Sequence, residues 1–378
     1  ALQAGRSGID LCDIGTFSRQ QEHVVAQVQS VNLTMEKAVI SPSWRIDKSS
    51  RLEQFAIVPA AHALADAGIQ TSSCTVDQKN RIGFIAGIGA EQLKDWEHDF
   101  LDGGHDVFHA KRQPSLVHRA AQILGIHGPA ATVAAACASS GYALALGKTW
   151  LETGLVDACV VGGCDVLSPT ALAAFHNLRA LSRREDDPKK ASRPFDQDRD
   201  GFVMGEGGVF FVLERCDSAF SRQSKIYGAL AGIGMSSDAS HMVTPCRDPV
   251  QASRAITEAL ADARLSPQDV NYVNAHAAST SVGDAAEAGA IRDAFGSVAE
   301  SIPVSSTKSM SGHLISGAAA FEALACLVAI QRNIIPPTIN LDTPDEDCLL
   351  RHVPHHSISL PVRVTASNSF GFGGSNLC

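Results

Sequence analysis

No apolar run in this chain approaches the ~18 residues that a bilayer-spanning helix needs; the best stretch, 321–330, carries Glu322. A membrane anchor is not expected. Ten cysteines are present, but they show neither close pairing nor metal-ligand spacing, and the nearest neighbours, Cys159 and Cys164, fall five apart within one apolar segment. That pattern argues against a disulfide framework and against a zinc cage, and His355-His356 has no matching pair at ligand spacing. With no leader segment visible, free thiols in a reducing cytosol are the expectation, which makes the protein cytoplasmic. Positive charge is scarce too: 31 Lys and Arg against 40 Asp and Glu give a net charge of −9, which argues against nucleic acid as a partner. No internal repeat is evident.

What remains is abundant small and apolar material. Of 378 residues 45% are hydrophobic and 31 are glycine, enough for a large core and for more than one small domain. The pattern alternates strands with helices. Apolar spacing predicts a helix from Arg51 to Gly68, a strand over 81–87, a helix over 139–152, and strands over 157–163 and 208–214. After a polar break at 216–225 the alternation restarts, with a strand over 226–236, a helix over 250–263, a strand over 270–275, and helices over 283–295 and 315–332. Short apolar strands between helices imply sheets covered on both faces.

Chemistry concentrates at three residues. Cys137 follows the short run Thr132-Val133-Ala134-Ala135-Ala136 and opens a helix-forming segment, so its thiol lies at a helix N-terminus. The positive dipole end of a helix and a nearby imidazole both lower a thiol's pKa, so Cys137 is expected to be charged near neutral pH and to exchange thioesters. Position alone leaves open that Cys137 is a small buried hydrophobe, as free cysteines commonly are. His276 and His313 each open a turn of small residues, in Asn274-Ala275-His276-Ala277-Ala278-Ser279-Thr280 and Lys308-Ser309-Met310-Ser311-Gly312-His313. Two imidazoles exceed what acyl transfer requires. The surplus points to a second step, in which charge develops on an oxygen and must be held by N–H donors.

Seven segments then carry a resemblance. Ala135-Ala136-Cys137-Ala138-Ser139-Ser140, Arg193-Pro194-Phe195-Asp196, Arg199-Asp200-Gly201 continuing to Gly207, Asn274-Ala275-His276, Thr307 to His313, Ile335-Pro336-Pro337-Thr338-Ile339-Asn340, and Asn368-Ser369-Phe370-Gly371-Phe372-Gly373-Gly374 stand in this order. They resemble the elongating β-ketoacyl-acyl-carrier-protein synthases. The Cys-His-His set sets the chain apart from the initiating synthases, which use Cys-His-Asn, and from chain-length-factor subunits, whose nucleophile is replaced. The resemblance implies the α/β thiolase fold, two similar αβαβα halves in five layers, usually as a homodimer. The halves are divided at residue 222, so that 1–222 carries the nucleophile and 223–378 both histidines. It also implies that the natural protein is longer at both ends.

Roles follow by the same resemblance. Cys137 takes the acyl chain from a carrier thioester, and its N–H with that of Phe370 forms the oxyanion hole. His276 and His313 assist loss of CO2 from a malonyl thioester and hold the enolate oxygen. Lys308 keeps the nearby histidine neutral, Glu322 pairs with Lys308 behind it, and Asp284 is a supporting acid, although acids such as Asp284 and Glu287 at a helix start are favoured by the helix dipole in any protein, which is the stronger reading of the two. Phe370 can act as a gate, because Gly371, Gly373 and Gly374 give its loop latitude. Ser279, Thr280 and Gly371 are the candidate substrate contacts. No resident cofactor is implied, since the substrates ride on phosphopantetheine, and an acyl carrier protein is the implied partner, with Arg51, Lys111 and Arg112 as its candidate contacts. No metal ligand is implied.

The chain also departs from the pattern. Ala277-Ala278 replaces the usual Gly-Thr after His276, removing a hydroxyl that Thr280 could in part supply. The glycines expected after His313 are shifted, giving Ile315-Ser316-Gly317-Ala318-Ala319-Ala320. Where relatives place apolar residues along the acyl pocket, Glu91 to Glu97 is charged. An alkyl chain against those charges loses burial worth roughly 0.8 kcal/mol per CH2, so either the register differs or the primer is short or polar. Besides a condensing enzyme, a non-condensing thioester decarboxylase or hydrolase and a non-catalytic partner subunit are alternatives; the intact Cys137, His276, His313 and Lys308 count against the last.

Overall fold

The computed structural model describes residues 1–14, 22–31, 40, 44–89, 91, 93–104 and 115–378. The first half is built on a four-stranded sheet of β1 (Ile82–Gly87), β2 (Ala130–Val133), β3 (Ala158–Asp165) and β4 (Gly207–Glu214), in the order β2-β1-β3-β4. β1 runs parallel to β2 and β3, with Phe84 opposite Ala130 and Ile82 opposite Ala158, whereas β4 is antiparallel to β3. Successive side chains of a strand point to opposite faces. Phe84 and Val160 therefore face one way, into a core with helices α1 (Arg51–Asp66) and α2 (Leu116–Ile123). Ile85, Cys159 and Val161 face the other way, onto α3 (Ser139–Glu152).

α1 starts where the sequence predicts. Ser50 and Glu53 form a reciprocal capping box, and Gly68, at φ +70°, takes the left-handed conformation just past its end. The second half repeats the plan with a parallel sheet of β6 (Tyr272–Asn274), β7 (Val304–Ser305) and β8 (Thr365–Ser367), in the order β8-β6-β7. β9 (Ser369–Gly371), β10 (Ser375–Leu377) and β5 (Met235–Ser237) form an antiparallel sheet beside it. Helices α5 (Val250–Ala263) and α6 (Ser281–Phe295) pack on the outer face through Ile256, Leu260, Ile291 and Phe295. The inner face meets α8 (Ala318–Arg332) through Tyr272, Cys326 and Ala329. α3 and α8 touch each other and share the layer between the two sheets, which makes five layers in all.

Two expectations change. The strand over 226–236 forms only at Met235–Ser237, with Gly234 also exchanging backbone hydrogen bonds with Cys378. Upstream, Ile226 and Leu230 are exposed, and Gly232 and Gly234 bring the backbone against α5, where a Cβ would meet the carbonyls of Ala259 and Ala255 at 2.2 and 1.9 Å. Close glycine packing replaces ladder pairing. The segment Ile315–Arg332, a 3-10 turn at Ile315–Gly317 followed by α8, has a mean hydropathy of 1.3 and is by length and composition long and apolar enough to cross a membrane. Half of it is buried within the protein, and its Glu322 is ion-paired to Lys308.

The N-terminus of α3 rests directly on the sheet because two strands offer glycine there. A Cβ on Gly87 would come within 2.3 Å of the Ser140 nitrogen, and one on Gly163 within 2.6 Å of the Ser140 Cβ. Gly87→Ala is expected to push α3 off the sheet and cost about 3 kcal/mol of stability, measured as a lower denaturant midpoint. An unchanged midpoint would show that the helix can shift freely.

Candidate active site

β2 delivers the chain into a tight elbow. Ala136 sits in the left-handed region at φ 49°, a strain of about 1–2 kcal/mol for a residue with a Cβ. Ser139 holds the turn: its Oγ accepts the Ala135 N–H at 2.9 Å and donates to the Ala136 carbonyl at 2.6 Å. Cys137 is thereby fixed just before the first turn of α3, with only 6% of its surface exposed. Gly371 crosses over this elbow so closely that a Cβ would meet the Ala135 oxygen at 2.8 Å and the Cys137 nitrogen at 3.3 Å.

Burial dominates the thiol. It pushes Cys137 up to about 11, against the opposing pull of the Lys308 charge and of a backbone N–H from Phe372. The expectation of a thiol charged near neutral pH is therefore overturned, because desolvation outweighs the helix end. The N–H that reaches the Cys137 sulfur belongs to Phe372, whereas the Phe370 ring lies 6.0 Å from the His276 ring.

His276 leaves the end of β6, and its loop is gripped from below by Glu287. That buried carboxylate accepts the His276 N–H at 2.8 Å, the Ala277 N–H at 2.6 Å and the Asn368 side-chain amide at 3.0 Å. Neither Glu287 nor Asn368 stood out as a site residue in the sequence; the signal available was the one-turn spacing of Asp284 and Glu287. His313 is buried, and its Nδ1 accepts the Ile315 N–H at 3.2 Å, which leaves the proton on Nε2. The two rings lie 5.3 Å apart, edge to face. Burial and then the Lys308 charge hold both imidazoles well below the usual histidine range, so both are neutral donors.

Lys308 sits on the short helix α7 (Lys308–Ser311), its ammonium 3.5 Å from His276 Nδ1 and in direct ion-paired contact with Glu322. Burial raises the Glu322 carboxyl and Lys308 opposes that rise. Asp284 is fully buried and anchors backbone, accepting the N–H groups of Phe195 at 2.9 Å and Thr280 at 3.2 Å beside Arg199.

Other candidates fare differently. Ser279 is fully buried at φ 72° with its hydroxyl accepting the Arg193 N–H at 3.0 Å, so it braces the loop and is not open to substrate; Thr280 next to it is partly buried. Arg51 is not a free carrier contact, because its guanidinium is committed to the buried Glu206 carboxylate, with Nε at 2.9 Å from both oxygens. Lys111 and Arg112 lie outside the described residues. In the charged segment, Glu91 caps the first N–H of α2 at Leu116, and buried Glu97 accepts the Thr170 N–H at 3.0 Å and the Ser168 hydroxyl at the start of α4 (Pro169–Asn177). These carboxylates satisfy helix ends and do not form a charged wall. Among the described residues no group of three or more His, Cys, Asp or Glu could hold a metal ion.

Two α/β halves that meet over a thiol and two neutral imidazoles define a condensing centre on the thiolase fold. Family profiles described as beta-ketoacyl synthase, N-terminal domain and C-terminal domain match residues 2–219 and 227–342, and the chain belongs to the β-ketoacyl synthase family. It is 41% identical over 339 residues to the 3-oxoacyl-[acyl-carrier-protein] synthase 2 of Synechocystis sp., covering 87% of this chain and 81% of that one. It is 37% identical over 345 residues to a putative polyketide beta-ketoacyl synthase 1 of Streptomyces halstedii, covering 87% and 81%. The solved ishigamide ketosynthase/chain length factor superposes with a TM-score of 0.86 at 31% identity, covering 100% of this chain and 92% of that one. A type II polyketide ketosynthase in complex with its acyl-carrier protein gives 0.84 at 29%, with the same coverage.

Alkylation of Cys137, followed by mass spectrometry, is expected to accelerate about tenfold per pH unit below about pH 10, as the thiolate fraction does under a pKa of about 11. Lys308→Met removes a charge that favours the thiolate and is expected to slow alkylation at every pH. A rate already level at neutral pH would show an ionised thiol.

Proposed function

We propose that this protein joins an acyl group held on Cys137 to a malonyl group carried by an acyl carrier protein, releasing CO2 and a 3-oxoacyl carrier in fatty-acid or polyketide synthesis. The observation that carries this reading is the pair of neutral imidazoles, each with a donor group behind its Nδ1, so that both Nε2–H groups are free to hold an oxygen that becomes negative. Acyl transfer alone has no use for a second such donor.

The chemistry runs in two halves. In the first, the Cys137 sulfur bonds to the acyl carbonyl carbon, the carrier's carbon–sulfur bond breaks, and the thiol proton leaves with the carrier sulfur. The N–H groups of Cys137 and Phe372 hold the tetrahedral oxygen between those events. In the second, the malonyl carbon–carboxylate bond breaks and its electron pair passes into an enolate, whose oxygen His276 and His313 hold. The enolate carbon then bonds to the acyl carbonyl and expels the Cys137 sulfur as thiolate, which takes a proton from solvent to restore the resting thiol. Burial, with the Lys308 charge, keeps both imidazoles from accepting a proton at rest.

Several features support the finer reading. The Synechocystis relative is named for an acyl-carrier-protein substrate and the polyketide ketosynthase was solved with its acyl-carrier protein, which favours phosphopantetheine as the arm entering the site and an acyl carrier protein as the partner. All ten cysteines are free thiols, which fits a reducing cytoplasm. Trp96, Phe100 and Leu101 are exposed on the helix Leu93–Leu101, an apolar face that suits pairing with a second copy.

Cys137→Ala is expected to abolish condensation with the fold intact. His276→Ala and His313→Ala are each expected to slow malonyl decarboxylation by about 10²–10³-fold while acylation of Cys137 suffers less. Radiolabelled CO2 release and mass spectrometry of the acyl-enzyme separate the two halves. Equal loss of both would mean that the histidines serve the thiol and not the enolate.

A further inference from the structure

Ile315 holds a backbone shape that its side chain disfavours. It stands in the left-handed region at φ 45°, which is uncommon for any residue with a Cβ and more so for a β-branched one. Such strain persists only where surrounding contacts over-determine it. Here two successive N–H groups of the turn Ile315–Gly317 point to different acceptors. That of Ile315 donates to His313 Nδ1 at 3.2 Å, and that of Ser316 donates to Asp165 Oδ2 at 3.2 Å.

Asp165 gathers this turn, although it takes no part in either half of the reaction described above. It closes β3 opposite Gly207, and besides the Ser316 N–H its carboxylate accepts the Val166 N–H at 2.9 Å and the hydroxyl of the fully buried Ser316. The Ser316 Oγ in turn accepts the Gly89 N–H at 2.7 Å, so its proton is the one given to Asp165. Hydrogen bonds to an ionised carboxylate are about twice as strong as neutral ones. A glycine makes the approach possible: a Cβ on Gly163 would come within 2.9 Å of the Ser316 carbonyl oxygen. From the other side the His313 backbone is fixed separately, its N–H on the Val203 carbonyl at 2.7 Å and its carbonyl on the Gly205 N–H at 2.9 Å. The backbone of His313 is thus held by one segment and the N–H on its ring by another, the second through Asp165.

We propose that Asp165 is a positioning residue for His313. By holding the Ser316 N–H and hydroxyl it keeps Ile315 in its left-handed conformation, so that the Ile315 N–H stays on Nδ1 and the Nε2 proton stays aimed at the enolate oxygen. The part of this role that concerns the enolate rests on the condensing function proposed above, whereas the hold on the ring does not. Without the carboxylate, Ile315 loses the contact that offsets its strain and relaxes toward an ordinary conformation, which turns its N–H away from the imidazole.

The test compares Asp165→Ala, which removes the acceptor, with Asp165→Asn, which keeps an acceptor for the Ser316 N–H and loses the charge. In protein isotopically labelled at the histidine ring nitrogens, the His313 Nδ1 resonance is assigned through its loss in His313→Ala. It is expected to shift toward that of an unbonded acceptor in Asp165→Ala and to return most of the way in Asp165→Asn. Malonyl decarboxylation should fall about tenfold in Asp165→Ala, less than the about 10²–10³-fold expected for loss of the donor itself, while acylation of Cys137 changes less. Asp165→Asn should recover most of the loss. Both variants remove a negative charge that opposes ionisation of Cys137, so both should be alkylated faster there, which separates charge from position. Should Asp165→Ala fail to fold, Ser316→Ala carries the same test through the hydroxyl alone, with a smaller shift in the same direction. An unmoved Nδ1 resonance, equal losses of the two half-reactions, or an asparagine variant no better than alanine would overturn the role. A wild type that loads Cys137 but releases no CO2 would overturn the condensing function and leave the resonance shift to stand for the hold on His313.

Discussion

A single ammonium in the protein interior organises the chemistry. Lys308 is almost wholly buried, and only its contact with Glu322 makes that tolerable, since an unpaired charge at such depth would cost several kcal/mol. From that position it does two things at once: it adds to burial in keeping His276 and His313 neutral, and it pulls the Cys137 thiol toward ionisation against the effect of burial. Glu322 lies on α8, so the central helix of the second half carries the counter-charge on which the site depends.

The middle layer explains how parts from both halves converge. α3 brings Cys137 and α8 brings Glu322, and the two helices are tied where the Ser140 hydroxyl accepts the Ala320 N–H at 3.0 Å. Both pack at short range because small residues line the contact; a Cβ on Gly141 would meet Leu377 at 2.9 Å and Ala319 at 3.3 Å. The abundance of glycine and alanine, which reads in the sequence only as composition, is the means of this close approach.

Much of this was legible in advance because it is local. The α1 helix announces itself by its apolar spacing and its glycine stop, α5 by its period, and Cys137 by the change from strand to helix pattern. What could not be read depends on contacts between distant residues. Arg51 looks like a surface cation until Glu206, 155 residues later, is found beneath it. Ser279 looks like a substrate contact until Arg193 covers its hydroxyl, and the choice between Phe370 and Phe372 rests on how a glycine-rich hairpin lies over the elbow. Glu91 and Glu97 look like a hostile pocket wall, although they cap helices whose first N–H groups need acceptors.

The protonated state of the resting thiol has a protective side. Peroxides and other stray oxidants attack thiolates, and their rate falls with the thiolate fraction. Because burial holds Cys137 near 11, the idle enzyme presents such oxidants with a thiol that is almost entirely in its unreactive form. On transfer the thiol proton ends on the departing carrier sulfur, so the exchange leaves no standing thiolate on the protein, and the same desolvation that slows the thiol in isolation preserves it between turnovers.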